Sequence, residues 1–216
     1  MTSLRQSTYP QSMLATLAQH FAQTDPIMAG LIARIGPITL QARRLPPCQS
    51  LIQSVIYQQL SGKAAETILN RFRALFGAGR FPKPEAVLAE TTGCLRSAGL
   101  SSAKVDYVRA VAAQAVAGAL PTLAQCDRLT DAEIVERLIT IKGVGRWTVE
   151  MFLIFNLGRP DVLPGHDLGV RRGFQITYDK RKLPEPEALE RFGVRWQPHR
   201  TTAAWYLWRA VDTLQK

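Results

Sequence analysis

Cysteine and histidine are scarce in this chain, and their positions exclude several kinds of site. The three cysteines, Cys48, Cys94 and Cys126, stand far apart in the sequence, and the three histidines show no ligand spacing. Disulfide-stabilised domains carry a dense and even set of cysteines, and zinc or iron–sulfur sites carry them in close pairs. We therefore expect free thiols in a reducing cytoplasm and no metal held by side chains.

Long apolar runs are also absent, and acidic residues are fewer than basic ones. No stretch approaches the roughly 18 apolar residues of a membrane-spanning helix, so we expect no membrane partner. The N-terminal sequence MTSLRQSTYPQSM has neither an apolar core nor a cleavage site, so we expect no secretory signal. Lys and Arg number 27 against 17 Asp and Glu, a formal net charge of +10. This balance favours a polyanionic partner but does not by itself separate DNA, RNA and a membrane surface.

What the chain does have is helical periodicity along nearly its whole length. Apolar residues recur three and four positions apart, and no sustained alternation typical of strands is present. Proline, glycine and capping residues separate the segments. We predict an all-α fold with helices near residues 10–24, 26–35, 49–60, 62–76, 84–97, 101–117, 131–139, 145–157, 167–178, 186–193 and 199–214.

The 216 residues allow one domain or two small lobes, and 46% hydrophobic residues supply a sizeable core. We predict a central helical lobe over residues 44–160. The N-terminal helices, 1–43, are expected to pack with the C-terminal helices, 161–216. This arrangement predicts a two-lobed molecule with a binding cleft between the lobes.

The segment from Leu138 to Thr148, LITIKGVGRWT, ends one periodic segment, turns through Gly143-Val144-Gly145 and opens another. Glycines permit a tight turn and a close approach of the backbone to a partner. The first turn of a helix presents N–H groups that bind phosphate, and Lys142 and Arg146 add positive charge. The pattern indicates a helix-hairpin-helix that holds a DNA backbone, although a Gly-x-Gly between two helices is also a common tight turn.

Asp167 follows Pro164-Gly165-His166 and precedes a periodic apolar segment. An aspartate at this position is typically an N-cap. It also suits a second role, because a fixed carboxylate stabilises the oxocarbenium-like sugar that forms when an N-glycosidic bond breaks. The two roles are compatible, since a capping side chain at a helix start can also face a cleft.

Four tryptophans, Trp147, Trp196, Trp205 and Trp208, lie in the C-terminal third. Each is ordinarily a core residue, but aromatic faces also stack on a base that has left the DNA duplex. The sequence IYQQLSGK around Gln59 is either an ordinary helix end or a tip that fills the gap left by such a base.

Together these segments resemble the helix-hairpin-helix DNA glycosylases, and among them the AlkA-type 3-methyladenine DNA glycosylase II group. Four segments in order carry the resemblance: SLIQSVIYQQLSGKAA, LITIKGVGRWTVEMF, DVLPGHDLGVRRGF and WQPHRTTAAWYLWRA. They span about 49–210. The resemblance implies a two-lobed helical glycosylase that flips a nucleotide out of the duplex and excises its base.

The resemblance also implies roles for individual residues. Asp167 matches the family's essential aspartate. Main-chain carbonyls of Ile139, Ile141 and Val144 match a monovalent cation site at the hairpin, and no other cofactor is implied. The implied base pocket comprises Trp147, Met151, Trp208 and Tyr57. The implied DNA contacts are Gln59 as the wedge, Leu60, Lys63, Lys142, Gly143, Val144, Gly145, Arg146 and Thr148.

Departures from the family pattern narrow the expected activity. Trp147 stands where bifunctional relatives carry a lysine, and the cysteine cluster of the endonuclease-III branch is absent, so Schiff-base lyase chemistry is not expected. We predict a monofunctional glycosylase of alkylated purines, 3-methyladenine and with it 7-methylguanine. It is expected to act on duplex DNA as a monomer in the nucleoid of a bacterial cytoplasm.

The alternatives are a non-enzymatic DNA-binding module and a monofunctional glycosylase for another lesion. Few hydrogen-bonding side chains are expected in the pocket, which disfavours a neutral lesion.

Overall fold

The computed structural model describes residues 11–77 and 80–214, and every regular element in those ranges is helical. The predicted all-α class is confirmed. The N-terminal segment 1–10, including the first residue of the predicted helix 10–24, lies outside the described residues. The helices are α1 Gln11–Thr24, α2 Pro26–Ile35, α3 Pro47–Tyr57, α4 Gly62–Ala74, α5 Pro84–Ala89, α6 Thr92–Ser97, α7 Ser102–Val116, α8 Leu123–Cys126, α9 Asp131–Leu138, α10 Arg146–Met151, α11 Leu168–Thr177, α12 Pro186–Phe192 and α13 Arg200–Leu214.

Two compact units divide the chain. One is the continuous segment Arg43–Leu157, called here the middle unit. The other combines the described residues up to Ala42 with those from Gly158 onward, called here the terminal unit. Among the described helices, none is both long enough and apolar enough to span a membrane.

Side-chain caps define many of the helix starts. Thr130 accepts a hydrogen bond from the N–H of Glu133, whose carboxylate in turn accepts from the N–H of Thr130, so the capping box predicted at α9 is confirmed. The same reciprocal pair joins Thr122 and Gln125 at α8. Such a cap contributes about 1 kcal/mol. The box at α8 fixes a four-residue helix that apolar periodicity alone did not predict.

Two predicted boundaries are wrong for local reasons. The segment predicted as one helix over 84–97 forms α5 and α6, because Thr91 is extended and its hydroxyl caps a new helix by accepting from the N–H of Cys94. The helix predicted to reach residue 60 ends at Tyr57. Gln59 there adopts a left-handed backbone with φ of 57°, which no helix can accommodate.

The core of the middle unit forms where α3 packs against α7 and α10. Leu51, Ile52, Val55 and Ile56 on α3 are each 0% exposed. Fully burying one such side chain stabilises the fold by about 1.5–3 kcal/mol. After Met151, α10 continues as a π-helical turn, Phe152–Leu157. π-Helical turns often lie at functional sites, and this one belongs to the wall of the cavity described below.

In the terminal unit α13 packs along α11. The two helices touch at Gly173, where a Cβ atom would collide with the backbone of Leu207. The terminal unit also contains a buried polar cluster, in which the Asp25 carboxylate accepts hydrogen bonds from Tyr178 Oη at 2.6 Å and from Trp196 Nε1 at 2.8 Å. The buried carboxylate is therefore well satisfied, as burial of a charge requires. Trp196, with 0% exposure, is a core residue.

Candidate functional site

The predicted hairpin connects α9 to α10 in the middle unit. Its turn is tight: Ile141 N donates to Leu138 O at 3.2 Å, and Val144 N donates to Ile141 O at 2.9 Å. Gly143 has φ of +83°, and a Cβ atom there would collide with the ring of Tyr107 on α7. Only glycine satisfies both the backbone angle and the contact. The first glycine of the motif is therefore needed for folding, whereas Gly145 has ordinary backbone angles and nothing within 4 Å of a Cβ position.

Gln58 braces this hairpin from the end of α3. Its side-chain Nε2 donates to Gly143 O and to Thr148 Oγ1, both at 2.8 Å. The side chain of Thr148 is buried and its hydroxyl accepts from Gln58, so the predicted DNA contact at this position stays a prediction for its main chain. The Val144 side chain is buried as well, so a DNA contact at that position would be made by the main chain.

The charged side chains at the hairpin are exposed and lightly paired. Lys142 Nζ lies 3.1 Å from Asp106 Oδ2, and both side chains are more than half exposed. Arg146 Nε lies 3.0 Å from Glu150 Oε1 on the same helix. The Lys142 pair is exposed, and such pairs contribute about 0–1 kcal/mol, so a phosphate can replace Asp106 at small cost. The Arg146 pair differs, because the Glu150 side chain is only 4% exposed and would lose a charged partner inside the protein.

The turn after α3 carries Gln59 and Leu60, the residues predicted to fill the gap in the duplex, and both are exposed. Lys63, a further predicted DNA contact, is exposed in the first turn of α4. The turn is held by Lys104 on α7, whose Nζ donates to Ile56 O at 2.7 Å and Gln58 O at 2.8 Å. Partial burial lowers the pKa of Lys104. The sequence did not predict this role of Lys104, because the residue is 46 positions from Gln58 and has the pattern of an ordinary surface lysine.

The hairpin and this turn line one concave surface, which encloses a volume of about 580 Å³. It brings together five predicted DNA contacts, Gln59, Lys142, Gly143, Val144 and Gly145, with the predicted cation ligands Ile139 and Ile141. Sequence reasoning missed the other lining residues, Gln58, Ser101, Ala103, Lys104, Tyr107 and Thr140.

A second cavity, of about 210 Å³, lies between α3 and α10 with its π-helical extension. It contains three of the four residues predicted for a base pocket: Tyr57, Trp147 and Met151. The remaining lining residues, Arg43, Ser50, Gln53, Ser54 and Phe155, were not predicted. Positions 50, 53, 54 and 57 share one helical face, and so do 147, 151 and 155. This helical spacing would predict those lining residues from the sequence, provided that α3 and α10 are known to face each other.

In the terminal unit, Asp167 caps α11 as predicted. Its Oδ1 accepts from Val170 N at 2.9 Å and from the indole Nε1 of Trp208 on α13 at 2.8 Å. Trp208, predicted for the base pocket, is thus placed against the carboxylate. Gly169 makes this contact possible, because a Cβ atom there would lie 2.8 Å from Trp208 Cδ1 and 3.0 Å from Asp167 Oδ1. Two donors on one oxygen fix the orientation of the carboxylate, a requirement for electrostatic catalysis.

Comparison with known proteins agrees with this architecture. The family model described as HhH-GPD superfamily base excision DNA repair protein matches residues 52–198. DNA-3-methyladenine glycosylase 1 of Schizosaccharomyces pombe is 41% identical over 163 residues, which cover 76% of this chain and 72% of that protein.

Two solved structures are similar over most of the chain. The S. pombe 3-methyladenine DNA glycosylase in complex with abasic DNA has a TM-score of 0.85 at 36% identity, covering 90% of this chain and 95% of the other. A DNA-3-methyladenine glycosidase of Bacillus halodurans has a TM-score of 0.76 at 36% identity, covering 90% and 88%. The chain belongs to the HhH-GPD superfamily of base excision DNA repair proteins, which confirms the predicted family.

Proposed function

We propose that this protein is a monofunctional DNA glycosylase that removes 3-methyladenine, and with it 7-methylguanine, from duplex DNA and leaves an abasic site. The observation that carries the proposal is the carboxylate of Asp167, oriented by Val170 N and Trp208 Nε1 at the start of α11. The names of the S. pombe and B. halodurans relatives support the choice of 3-methyladenine.

The cavity beside Trp147 suits the departing base. Tyr57, Trp147 and Phe155 offer aromatic faces, and such faces attract a base that alkylation has made cationic. Because that charge already weakens the glycosidic bond, little protonation of the leaving base is needed. In this proposal Asp167 stabilises the positive charge on the sugar, and water completes the hydrolysis.

The concave surface at the hairpin is proposed to hold the DNA backbone. Main-chain N–H groups at the start of α10, with Lys142 and Arg146 beside them, suit phosphate oxygens. Affinity of this kind is independent of sequence and falls steeply as salt rises. In the same proposal Gln59 and Leu60, exposed on the turn, enter the space that the flipped nucleotide leaves.

A monovalent cation is proposed to bind at the hairpin through the carbonyls of Ile139, Ile141 and Val144. The donor set fits, since main-chain carbonyl oxygens are hard ligands and these residues line one concave surface. In the described part of the chain, only the Ile141 carbonyl of the three has a hydrogen-bond donor, Val144 N. DNA affinity at constant ionic strength should fall when potassium and sodium are both replaced by a large organic cation.

The decisive experiment is release of free bases from methylated duplex DNA by the wild-type protein and by Asp167→Asn. We expect the variant to bind DNA normally and to lose nearly all release of 3-methyladenine, because the amide carries no charge to oppose the sugar cation. Full activity of Asp167→Asn would refute the mechanism. Binding without base release by the wild type would instead indicate a DNA-binding module or another lesion.

A further inference from the structure

A groove in the terminal unit has no part in the proposed reaction. It is lined by α11, by α12 and by the loop that joins them, and its volume is about 570 Å³. Three consecutive cations, Lys180, Arg181 and Lys182, line it from the loop. None of the described residues that line it is acidic. We call this surface the basic groove.

The three cations have no partner of their own within the described residues. Their side chains are exposed, and in residues 11–77 and 80–214 none of them forms an ion pair or a hydrogen bond. The Glu185 carboxylate, at the start of α12, instead lies 3.9 Å from Arg171 Nη2. Like charges in sequence raise the local positive potential, so the groove attracts a partner with negative charge.

The rest of the lining is apolar. Phe174 is buried at 4% exposure, and its ring meets that of Phe192 edge to face with centroids 4.9 Å apart. Phe192 is only partly buried, and so are the other apolar lining residues, Leu183, Pro184 and Ala188. Water therefore contacts apolar surface beside three cations. A partner gains free energy by covering that surface as well as by opposing the charge.

Hydrogen bonds hold the loop of the basic groove against α11. Lys180 N donates to Gln175 O at 2.9 Å, and Gln175 Nε2 donates to Arg181 O at 3.4 Å. Further along the loop, Arg171 Nε donates to Pro184 O at 2.8 Å. A groove that is already formed loses little conformational freedom when it binds a partner, which favours affinity.

We propose that the basic groove binds an acidic segment of a partner protein, in which Asp and Glu side chains flank an apolar anchor. The carboxylates would oppose the three cations, and the anchor would cover the apolar lining. A DNA backbone would satisfy the cations but has no apolar group for the rest of the groove, and a flat bilayer does not fit a concave surface. The ten residues of α11 separate this groove from Asp167 by about 15 Å, so its partner need not contact the carboxylate.

The test measures binding of fluorescein-labelled peptides to the full chain by fluorescence anisotropy. The panel holds short peptides with a phenylalanine or a leucine among acidic residues, and matched peptides that lack either the acidic residues or the apolar one. We expect saturable binding only of peptides that have both, weaker as salt rises. Arg181→Glu should weaken it about fivefold, the effect of one exposed charge pair. Arg128→Glu, an equal charge change at an exposed arginine outside the groove, is the matched control.

A second variant tests the apolar part of the groove without changing its charge. Ala188→Gln keeps a good helix former in α12 and places a longer side chain in the groove. We expect weaker peptide binding at an unchanged circular dichroism spectrum. Release of 3-methyladenine should be the same as in the wild type for both Arg181→Glu and Ala188→Gln.

Four outcomes would overturn the proposal. They are no saturable binding of any peptide up to about 1 mM, equal losses in Arg181→Glu and Arg128→Glu, and unchanged binding in Ala188→Gln. The fourth is a loss of DNA affinity in Arg181→Glu without peptide binding by the wild type, which would assign the cations to DNA. A wild type that binds the peptides but releases no base supports the basic groove and refutes the glycosylase function instead.

Discussion

The hydrogen bond between Trp208 and Asp167 makes the sharpest prediction about catalysis. Trp208→Phe keeps an aromatic ring in α13 but removes the indole donor that lies 2.8 Å from Asp167 Oδ1. A hydrogen bond to a carboxylate contributes about 1.5–3 kcal/mol. If about 2 kcal/mol of orienting free energy is lost in the transition state, base release slows about 30-fold. The Asp167 N-cap bond from Val170 N remains, so α11 should still form.

A second variant disturbs the same contact without touching either partner. Gly169→Ala places a methyl group 2.8 Å from Trp208 Cδ1 and 3.0 Å from Asp167 Oδ1, so the indole must move. We expect base release to slow by at least about tenfold, comparable to a loss of 1.4 kcal/mol. Gly30→Ala is the matched control: Gly30 also lies in a helix of the terminal unit, and nothing lies within 4 Å of its Cβ position. That variant should gain about 0.5–1 kcal/mol of stability and keep its rate.

The assay is single-turnover release of 3-methyladenine with enzyme in excess, alongside DNA affinity measured by fluorescence anisotropy. Rates should fall in Trp208→Phe and Gly169→Ala while affinity stays within about twofold, since phosphate contacts dominate binding. Wild-type rates in both variants would refute the positioning role of the indole. A normal rate in Trp208→Phe with a large loss in Trp208→Ala would show that the ring acts by stacking and not by its N–H group.

Two further predictions concern the hairpin and the buried polar cluster. Gly143→Ala should unfold the hairpin region, because both its left-handed φ and the Tyr107 ring exclude a side chain. Gly145→Ala should fold normally and weaken DNA binding several-fold. Circular dichroism measures the folding and fluorescence anisotropy the DNA affinity, and equal behaviour of the two variants would contradict the different roles given to the two glycines. Tyr178→Phe should cost about 1.5–3 kcal/mol in urea denaturation, because the Asp25 carboxylate loses a donor. Burial, and next the hydrogen bond to Asp25, raise the pKa of Tyr178 above its ordinary value of 10.0, so wild-type stability should fall as the pH rises above 10, where only the unfolded chain loses this proton. Tyr178→Phe should therefore lose less stability than the wild type as the pH rises above 10. An unchanged pH dependence would contradict its attribution to Tyr178.

Helix type and many helix starts are local properties, and the sequence predicted them for local reasons. The capping box of Thr130 and Glu133 and the N-cap of Asp167 depend on residues within one turn, and the Gly-x-Gly turn is marked by its own glycines, although Tyr107 also restricts Gly143. The family followed from four such segments in a fixed order. The two mispredicted helix boundaries were also set locally, by the Thr91 cap before α6 and by the left-handed backbone of Gln59 after α3, which apolar periodicity does not record.

The composition of the site was decided by tertiary structure. Gln53 and Ser54 look like the ordinary polar face of an amphipathic helix until α10 is placed opposite them. Lys104 and Gln58 act on carbonyls and hydroxyls that lie 46 to 90 residues away in the chain. The predicted cleft between two lobes stays a prediction.

What the sequence determined by itself was the helical class, the hairpin, the capping aspartate and the family, because each is encoded by spacing within a short segment. What only the tertiary structure decided was which side chains share a cavity and which oxygen each donor reaches. Those depend on distances of about 3 Å between residues far apart in the chain, and no periodicity in a single sequence records them. Trp208 illustrates the difference: its aromatic ring was expected to hold a base, and its indole N–H is bonded to Asp167.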